Sequence, residues 1–513
     1  MIPPLETVMK RFSIMTFGVI AVGTVTTACN TFTGVGDLDV APGAVGPAAD
    51  PLVLADGVEL TGLAMYQALK TQLMEDGAVV DSDIPMVANR KGLLRVFYER
   101  TDGTNDPKSV TVRVHLESTD WMPPADDPEA EQEPIEITTP IGPQSAEGTL
   151  GSTINVVIPA ERMLPNTEFR VEILQDREEA SGDNDAAAFP APDDTPARLR
   201  VQTVGPLHLR LVPIQYNADG SGRLPDISEA QLARYKTAFE EMYPIPEVII
   251  TVDEPWPTDI PAQTSGGFSQ LLDALREYRQ SANAQPYEYF YGIFDPDGTD
   301  GIAGLASLGG SPDSRVGVGL GTTGGGSVNT AIHEVGHEHG RPHSPGCGAD
   351  GADDEWPRVE EEATLGTWGY SPSSGALYDP TGERRDFMSY CGPEWVSDYV
   401  WQQLFAQSQF TNPANLGMAK RLLPPQNKRY ARLKIHPDGS TSWLSDLTLR
   451  YEAEGIEDVE VDVTIDGQTV ARSGTFYGYD HADGGVLYIP VQLDSTIADA
   501  TFSIHGLTLQ AVR

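Results

Sequence analysis

Cysteine is nearly absent from this chain, with three residues in 513, at positions 29, 347 and 391. No CxxC pair occurs, so dithiol redox chemistry has no motif to rest on. A phosphate-cradling GxxxxGK[ST] loop and a GxSxG nucleophile elbow are missing too, which leaves nucleotide hydrolysis and serine hydrolase chemistry unsupported. Basic residues are scarce, 34 Lys plus Arg against 75 Asp plus Glu, for a net charge of -41. Such a surface repels phosphate backbones and anionic headgroups, so no nucleic-acid partner is expected and the acid excess reads as a solvated exterior. Long hydrophobic runs are lacking as well. The apolar stretch FSIMTFGVIAVGTVTTA, residues 12–28, is too short and threonine-rich for a membrane span.

That stretch has another reading. Lys10 and Arg11 follow Met9, a possible start, and small residues precede Cys29, the layout of a signal peptide over residues 1–29. TTAC at Thr26–Cys29 resembles a bacterial lipobox, departing from it at Thr26, where leucine is usual. The resemblance implies lipidation of Cys29 and a cell-surface or outer-membrane lipoprotein, with plain secretion as the alternative. If Cys29 carries lipid, Cys347 and Cys391 remain as a pair in an oxidising compartment, and a disulfide between them is expected over two free thiols.

Residues 30–50, rich in Gly, Pro, Ala and Asp, read as a flexible tether. From 51 to 205, short alternating runs such as SVTVRVHLE are broken by Pro, Asp and Gly clusters, which predicts a β-sandwich-like domain. From 206 to 425 strand-like segments (LHLRLVPIQY, VIITVDE, YEYFYGIF) alternate with helical ones (ISEAQLARYKTAFEEMY, FSQLLDALREYRQSA), predicting a mixed sheet plus helices. Residues 426–513 return to β texture, predicting a second β-sandwich-like domain. The expected fold class is therefore α+β, a mixed central domain flanked by two β domains.

Histidine is also rare, nine in all, yet four lie between His333 and His343 in AIHEVGHEHGRPHSPGC. His333, Glu334 and His337 form HExxH, and residues four apart share one helix face, so two imidazoles can converge on one metal ion. Gly340 can end the helix in the left-handed conformation and let His343 return as a third nitrogen ligand. Three protein ligands leave a fourth position on Zn2+ for water, which Glu334 would deprotonate as general base. Glu338 and His339 face away from this set and read as surface or supporting groups. DPDGTDG, residues 295–301, looks like a calcium loop but lacks the distal glutamate, so a solvated turn is expected.

The segment fits HExxHxxGxxH at every fixed position, and RDFMSYCGPEWVSDY follows at Arg385–Tyr399. Together they resemble the metzincin clan of zinc endopeptidases, and the fuller run is similar to secreted bacterial metzincins related to the mucin-cleaving peptidases. The resemblance implies zinc on His333, His337 and His343, Glu334 as base, Met388 as the structural Met-turn, and Tyr390 as a second catalytic residue that donates to the oxyanion. It also implies a protein or glycoprotein substrate pairing with the edge strand in GIAGLASLGG, Gly301–Gly310. A Cys347–Cys391 bond would staple the two motifs. The rival from another class is a surface binding or adhesion lipoprotein whose zinc site is structural or inactive.

Overall fold

The computed structural model describes residues 50–513, apart from 102–107, 181–183, 310–314, 350, 359–361, 412–427, 437, 450–456, 466, 480, 482–483, 493–494 and 505. The expected signal segment with its lipidation site Cys29, and all of the tether except Asp50, lie outside the described residues. Residues Pro51–Arg513 make one compact unit, mostly sheet, with four α-helices among the described residues. None of those helices is long and apolar enough to cross a membrane.

Residues 51–205 build two large antiparallel sheets and a short parallel pair, Met86–Val87 with Val201–Gln202. One centres on Ser109–Ser118 paired with Thr167–Asp176, the other on Val58–Tyr66 paired with Lys70–Glu75 and Gly92–Arg100. Alternation decides which side of each strand is buried: Val110, Val112, Val114 and Leu116 point into the core while Glu117 stays in solvent. The two sheets close over one apolar cluster that includes Leu63, Val96, Val112 and Val171.

The central segment carries a mainly parallel sheet. Leu207–Tyr216 lies between Val248–Val252 and Glu288–Phe294, and Glu288–Phe294 pairs in turn with Val316–Leu320. Gly304–Ala306 then adds to Val316–Leu320 in the antiparallel sense and ends the sheet. Helices cover these strands, so EYFYGIF is buried almost throughout instead of alternating. Helix α1, Glu229–Met242, starts where the Ser228 side chain accepts from the Gln231 amide, and it buries Tyr235, Phe239 and Met242 at helical spacing. Helix α2, Ser265–Ser281, is capped in the same way by Thr264 and buries Phe268, Leu271, Leu272 and Leu275. Helix α3, Gly325–Glu338, carries HExxH. Helix α4, Asp398–Thr411, follows the segment that carries Met388 and is an element the sequence reading did not anticipate.

The C-terminal segment corrects the second sandwich. Among the described residues it is a single seven-stranded antiparallel sheet, not two facing sheets. Its inner face surrounds one cluster with Leu433, Val461, Leu487 and Phe502. The same in-and-out alternation serves a sandwich or a curled single sheet, so residue pattern alone does not separate them.

Part of the outer face, around Lys428–Ile435 and Gly485–Val491, is also buried, because it packs on α2, while Glu460 and Asp462 stay in solvent. Tyr477, Val486 and Tyr488 share a core with Leu271, Leu272 and Leu275. Beside them Lys434 donates to Asp273 at 2.8 Å, Arg276 bonds the other oxygen of Asp273 at 2.8 Å, and Arg432 reaches Glu277 at 3.1 Å. Asp273, Arg276, Lys434 and Arg432 are all buried. On the opposite flank the N-terminal sandwich docks through Arg90, whose guanidinium donates to the Tyr243 and Ile245 carbonyls and lies over Trp401.

Removing the shared anion leaves two buried cations, Lys434 and Arg276, without a carboxylate partner. Asp273→Ala is therefore expected to lower unfolding stability by roughly 3 to 5 kcal/mol, read as a shift in the urea denaturation midpoint. A change below about 1 kcal/mol would show the ionic cluster to be dispensable to the interface.

Candidate metal centre

The last turn of α3 places His333 and His337 on one face, and the geometry just beyond it sets the third imidazole. His339 ends the helix and Gly340 takes φ +80, a value that favours glycine. The Gly340 amide donates to the His337 carbonyl at 2.8 Å and the Arg341 amide to the Gly336 carbonyl at 3.0 Å, the paired bonds of a Schellman turn. The chain doubles back there, and the His343 ring comes to 5.3 Å from that of His333 and 4.7 Å from that of His337, centroid to centroid.

Second partners fix which ring nitrogens face inward. His333 Nδ1 donates to the Phe387 carbonyl at 2.7 Å and His337 Nδ1 to the Arg341 carbonyl at 2.6 Å. Both Nε2 atoms therefore carry lone pairs, and they face each other 3.1 Å apart. Two such lone pairs repel unless a cation sits between them, so this donor set fits a divalent ion that favours nitrogen ligands. All three imidazoles are buried.

A fourth imidazole joins them. His481, between the strands Gln468–Gly478 and Gly485–Val491 of the C-terminal sheet, brings its ring to 5.2 Å from His333 and 5.3 Å from His343. One ligand nitrogen from each of His333, His337, His343 and His481 lies within 4.8 Å of every other. Sequence reasoning missed His481, a lone histidine in DHADGG far from the motif, and no local pattern marked it.

Glu334 is fully buried, and its Oε1 is 3.2 Å from His481 Nε2. The edge strand comes so close that a Cβ on Gly304 would collide with the Glu334 carboxylate. Met388 is fully buried under the same turn, and a Cβ on Gly336 would meet its sulfur. Tyr390 is 41% exposed, with its hydroxyl 2.8 Å from His481 Nδ1 and its ring 4.8 Å from that of His343. Glu334, Tyr390 and the four imidazoles line a cleft of about 1160 Å³ that also touches Thr264, Gly304, Thr330 and Tyr479.

Asp386, which sequence reasoning also passed over, organises the turn at Met388. Its carboxylate accepts from the Met388 amide at 2.9 Å, the Ser344 hydroxyl at 2.8 Å and the Ser397 amide at 2.7 Å. Burial pushes its carboxyl above the usual range, against these hydrogen bonds, which favour the charged form. The Ser344 amide donates to the Met388 carbonyl at 3.0 Å, so the His343 and Met388 segments are bonded directly. Cys347 and Cys391 form a disulfide with Cα atoms 5.3 Å apart, closing the two segments over a sequence separation of 44. A loop of that length contributes about 4 kcal/mol in the chain-entropy account.

Glu338 and His339 are core groups, which removes the surface reading offered for them. His339 stacks on Tyr289 at 4.3 Å, and burial pushes its imidazole down to about 3, so it is neutral. Burial, with the Glu334 carboxylate nearby, pushes the Glu338 carboxyl well above the usual range. Both oppose any role as a charged surface patch. In the segment that looked like a calcium loop, Gly298 and Gly301 turn the chain at φ +90 and +91.

No family model matches the chain, and no curated protein matches it. A solved structure described as "Structure of a chaperone-substrate complex" is similar over 51% of this chain and 40% of that one, at 16% identity and a TM-score of 0.23. A likeness of that size carries no argument about fold or function.

Asp386→Ala would strand two buried amides and the Ser344 hydroxyl. It is expected to cost roughly 3 kcal/mol, seen as a lower thermal midpoint in calorimetry. An unchanged midpoint would mean that the turn at Met388 holds its shape without this carboxylate.

Proposed function

We propose that the protein is an exported, lipid-anchored zinc endopeptidase of the metzincin kind, cutting peptide bonds in proteins or glycoproteins. The observation that carries this reading is the convergence of the His333, His337 and His343 ring nitrogens beside the buried Glu334 carboxylate in one cleft. Those three imidazoles would hold the zinc, which when bound supplies a Lewis acid and lowers the pKa of its water. Glu334 takes the proton of the attacking water and returns it to the leaving amine, so no covalent intermediate forms. Burial leaves that carboxylate few competing waters. Tyr390 donates its hydroxyl to the oxygen on which negative charge grows. An extended peptide adds to the edge of the sheet at Gly304–Ala306, where main-chain hydrogen bonds align it across the metal ligands.

A second reading has its own support. Four imidazoles around one ion make a closed coordination set, as in structural zinc sites, and His481 is near enough to be the fourth. A surface binding or adhesion lipoprotein would use the site in that way.

Substituting the base separates the two. Glu334→Gln should retain zinc while casein or mucin cleavage falls by roughly 10²- to 10⁴-fold, the usual worth of general acid–base catalysis. Chelator-sensitive cleavage that survives the substitution would remove Glu334 from the mechanism. Zinc-loaded wild type and zinc-loaded His481→Ala that both cleave neither substrate would favour the structural reading.

A further inference from the structure

We infer that the active-site cleft carries its own occupant: His481 is a fourth ligand on the metal and Tyr479 takes the pairing position beside the edge strand, so the resting protein is latent. This rests on the zinc-peptidase reading and names a regulation of the same site. Three observations converge on it. First, a ring nitrogen of His481 lies within 4.8 Å of a ligand nitrogen of each of His333, His337 and His343. A nitrogen there takes the place that water needs in a catalytic centre. Second, the His481 ring stands against the base, with Nε2 3.2 Å from Glu334 Oε1, so it fills the space beside that carboxylate that a nucleophile needs. Third, Tyr479 pairs antiparallel with Ser307, directly beyond the edge strand Gly304–Ala306. An incoming extended peptide needs that line of main-chain groups.

The four imidazoles differ in how firmly they are held. His333 and His337 are each tied by Nδ1 to a carbonyl of a packed segment, and His343 is buried behind the Schellman turn. His481 has a side chain 22% exposed, and its Nδ1 meets the hydroxyl of Tyr390, itself 41% exposed. The sheet that carries His481 is fastened to α2 by a shared apolar core and the buried Asp273 pairs. Opening the centre therefore needs displacement only of the His481 side chain, while the sheet stays docked. A substrate that displaces His481 frees the Glu334 carboxylate and the end of the edge strand together.

The test uses the full chain with Co2+ in place of zinc, comparing wild type, His481→Ala and His481→Cys. Wild type should bind one Co2+ with a visible spectrum that azide does not alter. His481→Ala should show a changed spectrum that responds to azide, and His481→Cys should add a thiolate-to-cobalt charge-transfer band. With zinc restored, casein cleavage by His481→Ala should rise about tenfold, as expected if the site is open a tenth of the time in the wild type. Bound cobalt with identical spectra in wild type and His481→Ala, and no charge-transfer band in His481→Cys, would overturn the proposal and leave the peptidase reading standing. Lower cleavage by a metal-loaded His481→Ala would also overturn it, since His481 would then assist the reaction. Failure of all three proteins to bind cobalt would overturn both readings.

Discussion

Three chain segments must approach the last turn of α3 more closely than ordinary side chains permit, and the rest of the centre depends on that approach. The edge strand reaches the Glu334 carboxylate because residue 304 is glycine, Met388 reaches the underside of the helix because residue 336 is glycine, and His343 swings back because Gly340 turns left-handed. Gly304 and Gly336 each remove a Cβ from a close contact, and Gly340 supplies the left-handed turn. The Asp386 carboxylate and the Cys347–Cys391 bond then hold the returning segments in register, so the ligands belong to a rigid framework and not to loops closing on a metal.

The second consequence concerns how the C-terminal sheet is attached. Its inner face surrounds its own core, and part of its outer face is buried on α2, with charged side chains sealed inside that second contact. A module that only needed to be carried along would not bury Lys434 and Arg432 in this way, because desolvated charges are costly unless their partners are in place. The docking fixes where Tyr479 and His481 fall, which is in the cleft. Structure and regulation then share one interface: the contact that orients the sheet also delivers the fourth imidazole.

Much of this was legible in the residues. Leu207–Tyr216 coincides with LHLRLVPIQY, α1 and α2 begin at hydroxyl caps and follow helical spacing, and Gly340 lies where a helix-ending glycine was expected. Local chemistry dictates these features, so local sequence reports them. His481 was not legible, because its role arises from a domain contact between residues far apart in the chain. Nor was the single curled sheet at the C-terminus, since alternation records which side of a strand is buried and says nothing of what covers it. Glu338 and His339 misled for a related reason. Polar residues at the end of a helix usually meet solvent, and here Tyr289, Arg315 and the glycines of Val316–Leu320 close over them.

The most direct measurement is anomalous scattering at the zinc absorption edge from crystals of the protein grown without chelator. The account predicts one strong peak within bonding distance of Nε2 of His333, His337 and His343. No peak, or a peak bound by other residues while these imidazoles point apart, would contradict it.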